Sequence, residues 1–247
     1  MIKFNNIWKT YSKELFVSKN TALQGLSFSL KKGNILGLIG ANGAGKSTSI
    51  RLLMDFIRPD KGNIQISNHQ PNEFSIRKHV GYLPETASFP SNLNIINLLG
   101  FTGITCNIPR KILRQRSEEL LNKLDLWETR NRPLRTYSKG MQQRANFVLA
   151  LINNPEILIL DEPMSGLDPM GRNKIILLIQ QLKQSGKTIL FCSHILEDVD
   201  RLVDDILVLH KGKKLFYGTP AALTDQESKS SMAEAFVSMV QKDEYND

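Results

Sequence analysis

A chain of 247 residues, 41% of them hydrophobic, has the material for one large globular domain or for a core that carries a smaller insertion. Its 32 basic and 24 acidic residues give a net charge of +8, which suits an anionic membrane face, a nucleic acid or a nucleotide. The basic residues occur as scattered pairs and favour an ordinary solvated surface. Two cysteines exclude a disulfide framework, and the absence of a signal-peptide pattern or a long apolar run leads us to expect a cytoplasmic protein.

Two alternating stretches near the N-terminus predict an antiparallel β edge. Ile2 and Phe4 begin the first strand, and the second ends at Leu30, before the Lys32-Gly33 turn. Tyr11 falls between these strands and, taken alone, is an ordinary surface aromatic.

The strongest signal is a phosphate-binding loop, Gly40-Ala-Asn-Gly-Ala-Gly-Lys-Ser-Thr48, between an apolar run and a predicted helix over 49–57. Glycines allow backbone conformations that are closed to residues with a β-carbon, so successive N–H groups can turn toward anionic oxygens. Lys46 is expected to reach the β- and γ-phosphates of a nucleotide, and the Ser47 hydroxyl to coordinate Mg²⁺. The alternative, a glycine-rich turn that spells the motif by chance, is disfavoured by the flanking elements. The nucleotide-binding residues expected here are Gly40, Asn42, Gly43, Ala44, Gly45, Lys46, Ser47 and Thr48.

Two short strands and a helical region are expected after this loop. Residues 63–67 alternate like a strand, and the strand at 80–85 places Glu85 at its carboxyl end, where α/β proteins collect ligand contacts. Taken alone, Glu85 is better explained as a solvated loop acid. From Ser91 to about Glu128 the apolar spacing is helical, which predicts a helical subdomain over about 91–153, inserted in an α/β core.

A second candidate anion site lies at Tyr137-Ser-Lys-Gly-Met-Gln-Gln-Arg144, which precedes another helical stretch. Ser138 is suited to cap that helix, and Ser138 with Gly140 would offer free N–H groups at its positive end. One chain would then carry two phosphate-binding devices with no evident way to meet. A simple capped helix explains this stretch equally well in isolation.

A buried strand within 156–163 ends in two adjacent carboxylates, Asp161 and Glu162. Burying an unpaired charge is costly, so acids at this position indicate a cation or a reaction. Asp161 suits Mg²⁺ held beside the phosphates. Glu162, whose side chain is expected on the opposite side of the strand, suits polarising an attacking water.

The remaining chain continues the α/β pattern. A turn at 165–169 precedes a helix, and an apolar strand at 188–192 is followed by His194. A lone histidine there is usually structural, but three strands that end in polar groups imply one shared ligand-binding edge. Residues 205–217 are expected to form a hairpin, and the tail from Thr219 a polar linker and a weak amphipathic helix.

In this order, the stretches resemble the nucleotide-binding subunit of an ATP-binding-cassette (ABC) transporter over about Ile2 to Gly218, with 219–247 as a short C-terminal tail. The order is more specific than any single motif. The matching stretches are the Walker A loop at Gly40–Thr48, the signature at Tyr137–Gln142, the Walker B strand at Ile157–Glu162, the D-loop at Ser165–Asp168 and the switch histidine at His194. The resemblance implies an α/β P-loop NTPase core with an antiparallel β edge and an inserted α-helical subdomain.

The resemblance also implies how the two anion sites meet, because in that family the signature helix of one subunit covers ATP held by the Walker A loop of the other. The nucleotide would contact Ser138, Gly140 and Gln142 from the partner side, and Tyr11 would stack on adenine. The implied catalytic residues are Glu162 as base, His194 at the γ-phosphate and Lys46. The implied Mg²⁺ ligands are Ser47, Asp161 and Glu85.

Two residues depart from the family pattern. Glu85 stands where the family usually has a glutamine, and it could still coordinate Mg²⁺ or a bridging water. Lys139 stands where the signature usually has a second glycine, and it either adds positive charge beside the γ-phosphate or points to solvent.

The resulting hypothesis is an ATPase subunit that binds MgATP in a head-to-tail homodimer or heterodimer and drives a separate transmembrane permease subunit from the cytoplasmic face of the membrane, without nucleic acid. Tyr-Leu-Pro-Glu and Tyr-Ser-Lys-Gly-Met resemble the forms of exporter-type ATPases. A soluble ABC ATPase that powers a non-membrane machine is the alternative. Against it stand a single cassette and no coiled-coil insertion, cysteine metal cluster or strongly basic arm. A P-loop kinase would have no use for Ser138 to Arg144.

Overall fold

The computed structural model describes residues 1–11, 20–86, 88–90 and 92–246, and in these ranges the chain forms two β-sheets flanked by helices. The strands are β1 (Ile2–Tyr11), β2 (Asn20–Leu30), β3 (Ile35–Ile39), β4 (Lys61–Ile66), β5 (Val80–Leu83), β6 (Ile157–Asp161), β7 (Thr188–Cys192), β8 (Asp205–His210) and β9 (Lys213–Gly218). The helices are α1 (Lys46–Leu53), α2 (Phe74–Arg77), α3 (Ile95–Thr105), α4 (Arg110–Lys123), α5 (Lys139–Leu151), α6 (Pro169–Gln184), α7 (Leu196–Leu202), α8 (Pro220–Glu227) and α9 (Met232–Asn246).

The larger sheet has the strand order β5-β6-β7-β3-β8-β9, in which β9 alone runs antiparallel to its neighbour within the described ranges. Strands β3, β6 and β7 are largely apolar and are buried at every position, as expected for parallel strands covered on both faces. Their parallel direction brings the carboxyl ends of β3, β5, β6 and β7 to one edge of the sheet. This topology confirms the predicted α/β fold with a shared strand-end edge, and the β8–β9 pair confirms the predicted hairpin.

The smaller sheet is antiparallel with the order β2-β1-β4, which confirms the predicted β edge and adds the strand predicted at 63–67. The rings of Phe4 and Phe28 stack with their centroids 4.4 Å apart. Alternate residues of the larger sheet face two apolar layers, so Leu36 and Leu38 pack with this small sheet and α1, whereas Ile35 and Ile39 pack with the helices on the other face.

Helices α3, α4 and α5, with a 3₁₀ turn at Leu134–Thr136, separate β5 from β6 along the chain. Asn94 and Asn97 form a reciprocal capping box at the start of α3. The fold therefore contains the helical insertion that the α/β prediction includes. The boundaries 91 and 153 stay a prediction, and residue 91 lies outside the described residues. None of the helices in the described ranges has both the length and the apolar character needed to cross a bilayer.

Two local predictions were wrong. The helix predicted at 49–57 is α1, which begins at Lys46 directly after the left-handed Gly45 and gives way to a left-handed Asp55 (φ 55°). Phe56 consequently lies outside the helix and is 60% exposed. The polar linker predicted after Thr219 contains α8, because the Thr219 hydroxyl accepts a hydrogen bond from the Ala222 N–H and a proline occupies the first turn. The predicted amphipathic tail helix is confirmed as α9.

Candidate active site

The loop over 40–45 connects β3 to α1. Gly45 has a φ of 111°, a left-handed conformation that favours glycine, and α1 begins at the next residue. The first N–H groups of α1 have no intrahelical acceptor, so the positive end of the helix lies at this loop. The Lys46 ammonium donates hydrogen bonds to the carbonyls of Gly40 (2.6 Å) and Ala41 (3.2 Å), and the side chain therefore lies across the loop.

The loop is supported by the neighbouring β8–β9 hairpin. A β-carbon on Gly40 would lie 2.4 Å from the Leu209 carbonyl oxygen, so this close approach requires glycine. On the far side of the loop, the Gly212 N–H donates to the Ala44 carbonyl at 3.1 Å. The hairpin thus holds the phosphate-binding loop at both of its ends.

A cavity of about 340 Å³ opens at the carboxyl ends of β3, β5, β6 and β7, and its lining unites residues from distant parts of the sequence. The lining residues are Gly40, Ala41, Asn42, Lys46, Ser47, Glu85, Asp161, Glu162 and His194. Gly43, Ala44, Gly45 and Thr48, which we also predicted to bind nucleotide, belong to the same loop and helix without lining the cavity. The structure therefore brings the loop lysine, three carboxylates and the strand-end histidine into one space.

Asp161 ends β6, and its carboxylate lines this cavity. Burial, together with the negative charges of Glu85 and Glu162, raises the pKa of Asp161 to about 6, against the opposing effect of Lys46 and Arg51. A cavity that holds this excess of carboxylate charge is suited to a cation.

The donor set fits Mg²⁺ held jointly with a nucleotide. In the described ranges, no group of three or more His, Cys, Asp or Glu residues could hold a metal ion by itself. Mg²⁺ does not need such a cage, because it commonly takes one or two protein oxygens together with substrate phosphates and water. The Ser47 hydroxyl and the Asp161 carboxylate are oxygen donors in one cavity, and Glu85 lines it as well.

Glu162 points into the same cavity as Asp161, so the expectation that it lies on the opposite side of the strand was wrong. Its φ of 48° is left-handed, and this conformation ends the strand alternation that would have turned the side chain away. The Glu162 N–H donates to the Cys192 carbonyl and its carbonyl accepts from the Ser165 N–H, both at 3.0 Å. Its carboxylate Oε2 lies 2.9 Å from Nδ1 of His194. The Glu162 side chain is 13% exposed, so a carboxylate oriented by an imidazole faces the cavity from a largely buried position.

Tyr11 lies at the end of β1, outside the cavity lining. Its hydroxyl is 3.4 Å from the Thr48 hydroxyl, and the Lys9 ammonium lies 5.9 Å from the centre of its ring. The ring is thus next to the first turn of α1, on the side where the phosphate-binding loop ends. Adenine stacking on Tyr11 stays a prediction, and the chain that follows it, 12–19, lies outside the described residues.

The stretch that we predicted as a second anion site lies at the start of α5. The Ser138 hydroxyl caps the helix by accepting a hydrogen bond from the Met141 N–H at 3.2 Å. A cavity of about 710 Å³ is lined there by Ser138, Lys139 and Gly140, and by the turn that contains Gly166. This cavity shares no lining residue with the smaller one, so a single chain keeps the two sites apart.

Sequence reasoning assigned Gln142 to the nucleotide and overlooked its neighbour Gln143. The Gln142 side chain donates to the Tyr137 carbonyl at 3.3 Å, at the start of its own helix. Gln143 is 4% exposed and its amide donates to the carbonyls of Glu162 (3.2 Å) and Pro163 (3.1 Å). A buried glutamine in a helix face that is otherwise apolar except for Asn146 was the signal that could have singled it out.

Comparison with known proteins gives consistent matches. The family model for ABC transporters matches residues 23–165. An ABC transporter ATP-binding protein of Nostoc is 37% identical over 222 residues, which cover 89% of this chain and 66% of that protein. The Nod factor export ATP-binding protein I of Ralstonia nicotianae is 34% identical over 220 residues, which cover 88% of this chain and 68% of that protein. The chain thus spans about two thirds of the length of these relatives.

Among solved structures, a dimeric ATP-binding cassette in a post-hydrolysis state, bound to ADP and Pi, superposes with a TM-score of 0.80. Its sequence is 26% identical, and the match covers 89% of this chain and 98% of that one.

Proposed function

Since the chain belongs to the ABC transporter family, whose ATPase cassette it carries, we propose that it hydrolyses MgATP in the 340 Å³ cavity and that this reaction drives transport through a separate membrane permease. The observation that carries the proposal is the shared lining of this cavity. It places Lys46, Asp161 and the Glu162–His194 pair around one space.

The residues divide the chemistry of phosphoryl transfer among them. Such a reaction needs positioning and charge stabilisation more than covalent chemistry. Lys46 and the first N–H groups of α1 bind the β- and γ-phosphates. Ser47 and Asp161, with Glu85 beside them, hold Mg²⁺, which when bound neutralises charge on the phosphate oxygens. Glu162 polarises the attacking water as general base, and His194 orients its carboxylate and lies beside the γ-phosphate.

Two subunits acting head-to-tail complete each site. The Ser138–Gly140 site and the 340 Å³ cavity are separate within one chain, so pairing with a second subunit is what would place a signature helix on the bound nucleotide. The dimeric arrangement of the solved cassette supports this pairing. A homodimer and a heterodimer with a related subunit both satisfy it.

Export is the direction we propose, with the chain peripheral to the cytoplasmic face of the membrane. The Ralstonia relative is named for Nod factor export, and the segments 82–85 and 137–141 resemble those of exporter-type ATPases. The transported molecule would be selected by the permease.

The proposal is tested by purifying the chain from its own cells in mild detergent, identifying what accompanies it by mass spectrometry and assaying ATP hydrolysis. A polytopic membrane protein in stoichiometric amount, together with release of free phosphate, is expected. Recovery of soluble assembly or ribosomal proteins alone would assign the ATPase to a non-membrane machine. A phosphorylated small molecule in place of free phosphate would indicate a kinase.

A further inference from the structure

Gln143 links the helix of the larger cavity to the loop of the smaller one. Its side chain is 4% exposed, and its amide nitrogen donates to the carbonyl oxygens of Glu162 (3.2 Å) and Pro163 (3.1 Å). Both partners are carbonyls, which only accept hydrogen bonds, so the amide group of Gln143 must face them with its nitrogen. The orientation of the Gln143 amide is therefore determined by the two acceptors as well as by the distances.

The peptide that Gln143 holds is the one that aims Glu162. A left-handed conformation such as the φ of 48° at Glu162 is unfavourable for a residue with a β-carbon. It persists where surrounding bonds over-determine it. Here the Glu162 backbone is held by Cys192 and Ser165 as well as by Gln143. A rotation of this peptide would move the carboxylate away from His194, so the orientation of the predicted base depends on these bonds.

The N-terminal turn of α5 lines the larger cavity, and the same helix carries Gln143. Ser138 and Gly140 line the larger cavity at its first turn. Gln143 follows Ser138 by five positions, which is about 7 Å along the axis. Because a helix moves as a stiff body over this distance, a shift of its N-terminal turn also shifts the Gln143 amide.

We infer that Gln143 is a positioning residue, which holds Glu162 in its productive orientation. Through the same hydrogen bonds, engagement of the N-terminus of α5 changes the orientation of Glu162. The inference rests on the proposed function, in which Glu162 is the base and the Ser138–Gly140 site is engaged by nucleotide bound to the other subunit. Gln143 itself is buried and lines neither of the two cavities.

The test replaces Gln143 with methionine, which has a similar length and no donor. Because Glu162 loses its support, kcat is expected to fall about tenfold or more. Because the phosphate-binding loop is unchanged, KM for ATP should stay within about twofold. Gln115→Met, on the exposed surface of α4, is the matched control and should keep wild-type kcat. In a Glu162→Gln background, Gln143→Met should cause no further loss of residual hydrolysis, because it acts through Glu162.

Wild-type kcat in Gln143→Met would overturn the inference. So would a parallel loss of kcat, ATP affinity and Tm, or an additive loss in the Glu162→Gln background, because each indicates a purely structural residue. If the methionine variant does not fold, Gln143→Asn keeps the amide but is one methylene shorter, and the same selective loss of kcat is expected. A wild-type chain without ATPase activity would instead reject the proposed function, and this inference with it, before any variant is made.

Discussion

Nδ1 of His194 lies 2.9 Å from Oε2 of Glu162, so one contact joins the segments that follow β6 and β7. The two side chains differ in environment, because Glu162 is 13% exposed and His194 is 64% exposed. The imidazole therefore faces the open side of the cavity and orients a carboxylate that solvent barely reaches. This is the arrangement expected of a general base and the residue that holds it.

Replacing Glu162 with glutamine should abolish turnover while nucleotide binding persists. The amide cannot polarise water as a carboxylate does, so kcat should fall by about 100-fold or more. Lys46 and the loop remain, so ATP should bind without being hydrolysed. The ATP-bound dimer should therefore accumulate and be detected by size-exclusion chromatography. Phosphate release and elution volume measure the two effects.

Glu118→Gln, an exposed acid on α4, is the matched control and should hydrolyse ATP like the wild-type chain. Turnover at the wild-type rate in Glu162→Gln would remove Glu162 from the role of base.

Lys46→Ala should lose nucleotide affinity. A hydrogen bond to a charged group contributes about 1.5–3 kcal/mol, so removing the ammonium should weaken ATP binding about tenfold to a hundredfold. Isothermal titration measures the affinity, and circular dichroism establishes that the fold is kept, since Lys46 also bonds to the Gly40 and Ala41 carbonyls. Lys31→Ala, an exposed lysine, serves as control. Equal affinities in both variants would contradict the phosphate-binding role of the loop.

Much of the fold was predictable because its signals are local. Continuous apolar runs mark β3, β6 and β7, and alternation marks the small sheet. The start of α1 was missed because it depends on the left-handed Gly45, which sequence periodicity does not report. Helix α8 was missed although Thr219 and Pro220 form an N-terminal capping signal, because its apolar spacing is weak.

Site residues that follow the ends of parallel strands were predictable. The direction of a side chain was less predictable where an unusual backbone conformation determines it. Parallel topology is sufficient to bring Asp161 and His194 to one edge. The predicted direction of the Glu162 side chain was wrong because we extended the strand alternation by one residue, to a position where φ is positive. Gln143 was overlooked because its partners are backbone carbonyls 19 and 20 residues further along the chain. Every residue has such a carbonyl, so the residue types do not indicate which one accepts the hydrogen bond.

Ser138→Asp should separate nucleotide binding from dimer-dependent hydrolysis. Aspartate caps a helix about as well as serine, so α5 should keep its fold. The added negative charge would repel a phosphate from the other subunit, so ATPase activity should fall about tenfold or more while ATP affinity of the monomer is unchanged. Thr219→Asp places the same change at the cap of α8 and should be neutral. Full activity in Ser138→Asp would show that the signature helix does not meet the nucleotide.

The buried carboxyl of Asp161 should make the stability of the chain depend on pH. Its carboxyl pKa is raised from 3.8 to about 6, so between these pH values the folded chain binds its proton more tightly than the unfolded chain. The free energy of unfolding without nucleotide and Mg²⁺ should therefore fall as pH rises through this window, by about 3 kcal/mol at most.

Asp161→Asn carries no such charge, so it should be more stable than the wild-type chain at about pH 7.5 and lose that advantage at about pH 5. Urea unfolding at both pH values measures the difference, with the exposed Asp200→Asn as control. Adding MgATP should stabilise the wild-type chain and leave Asp161→Asn much less affected, because the asparagine variant lacks the carboxylate that holds the cation. The same stability difference at both pH values would show that the negative charge of Asp161 does not destabilise the fold. An equal gain in stability from MgATP in both proteins would show that Asp161 does not bind the metal ion.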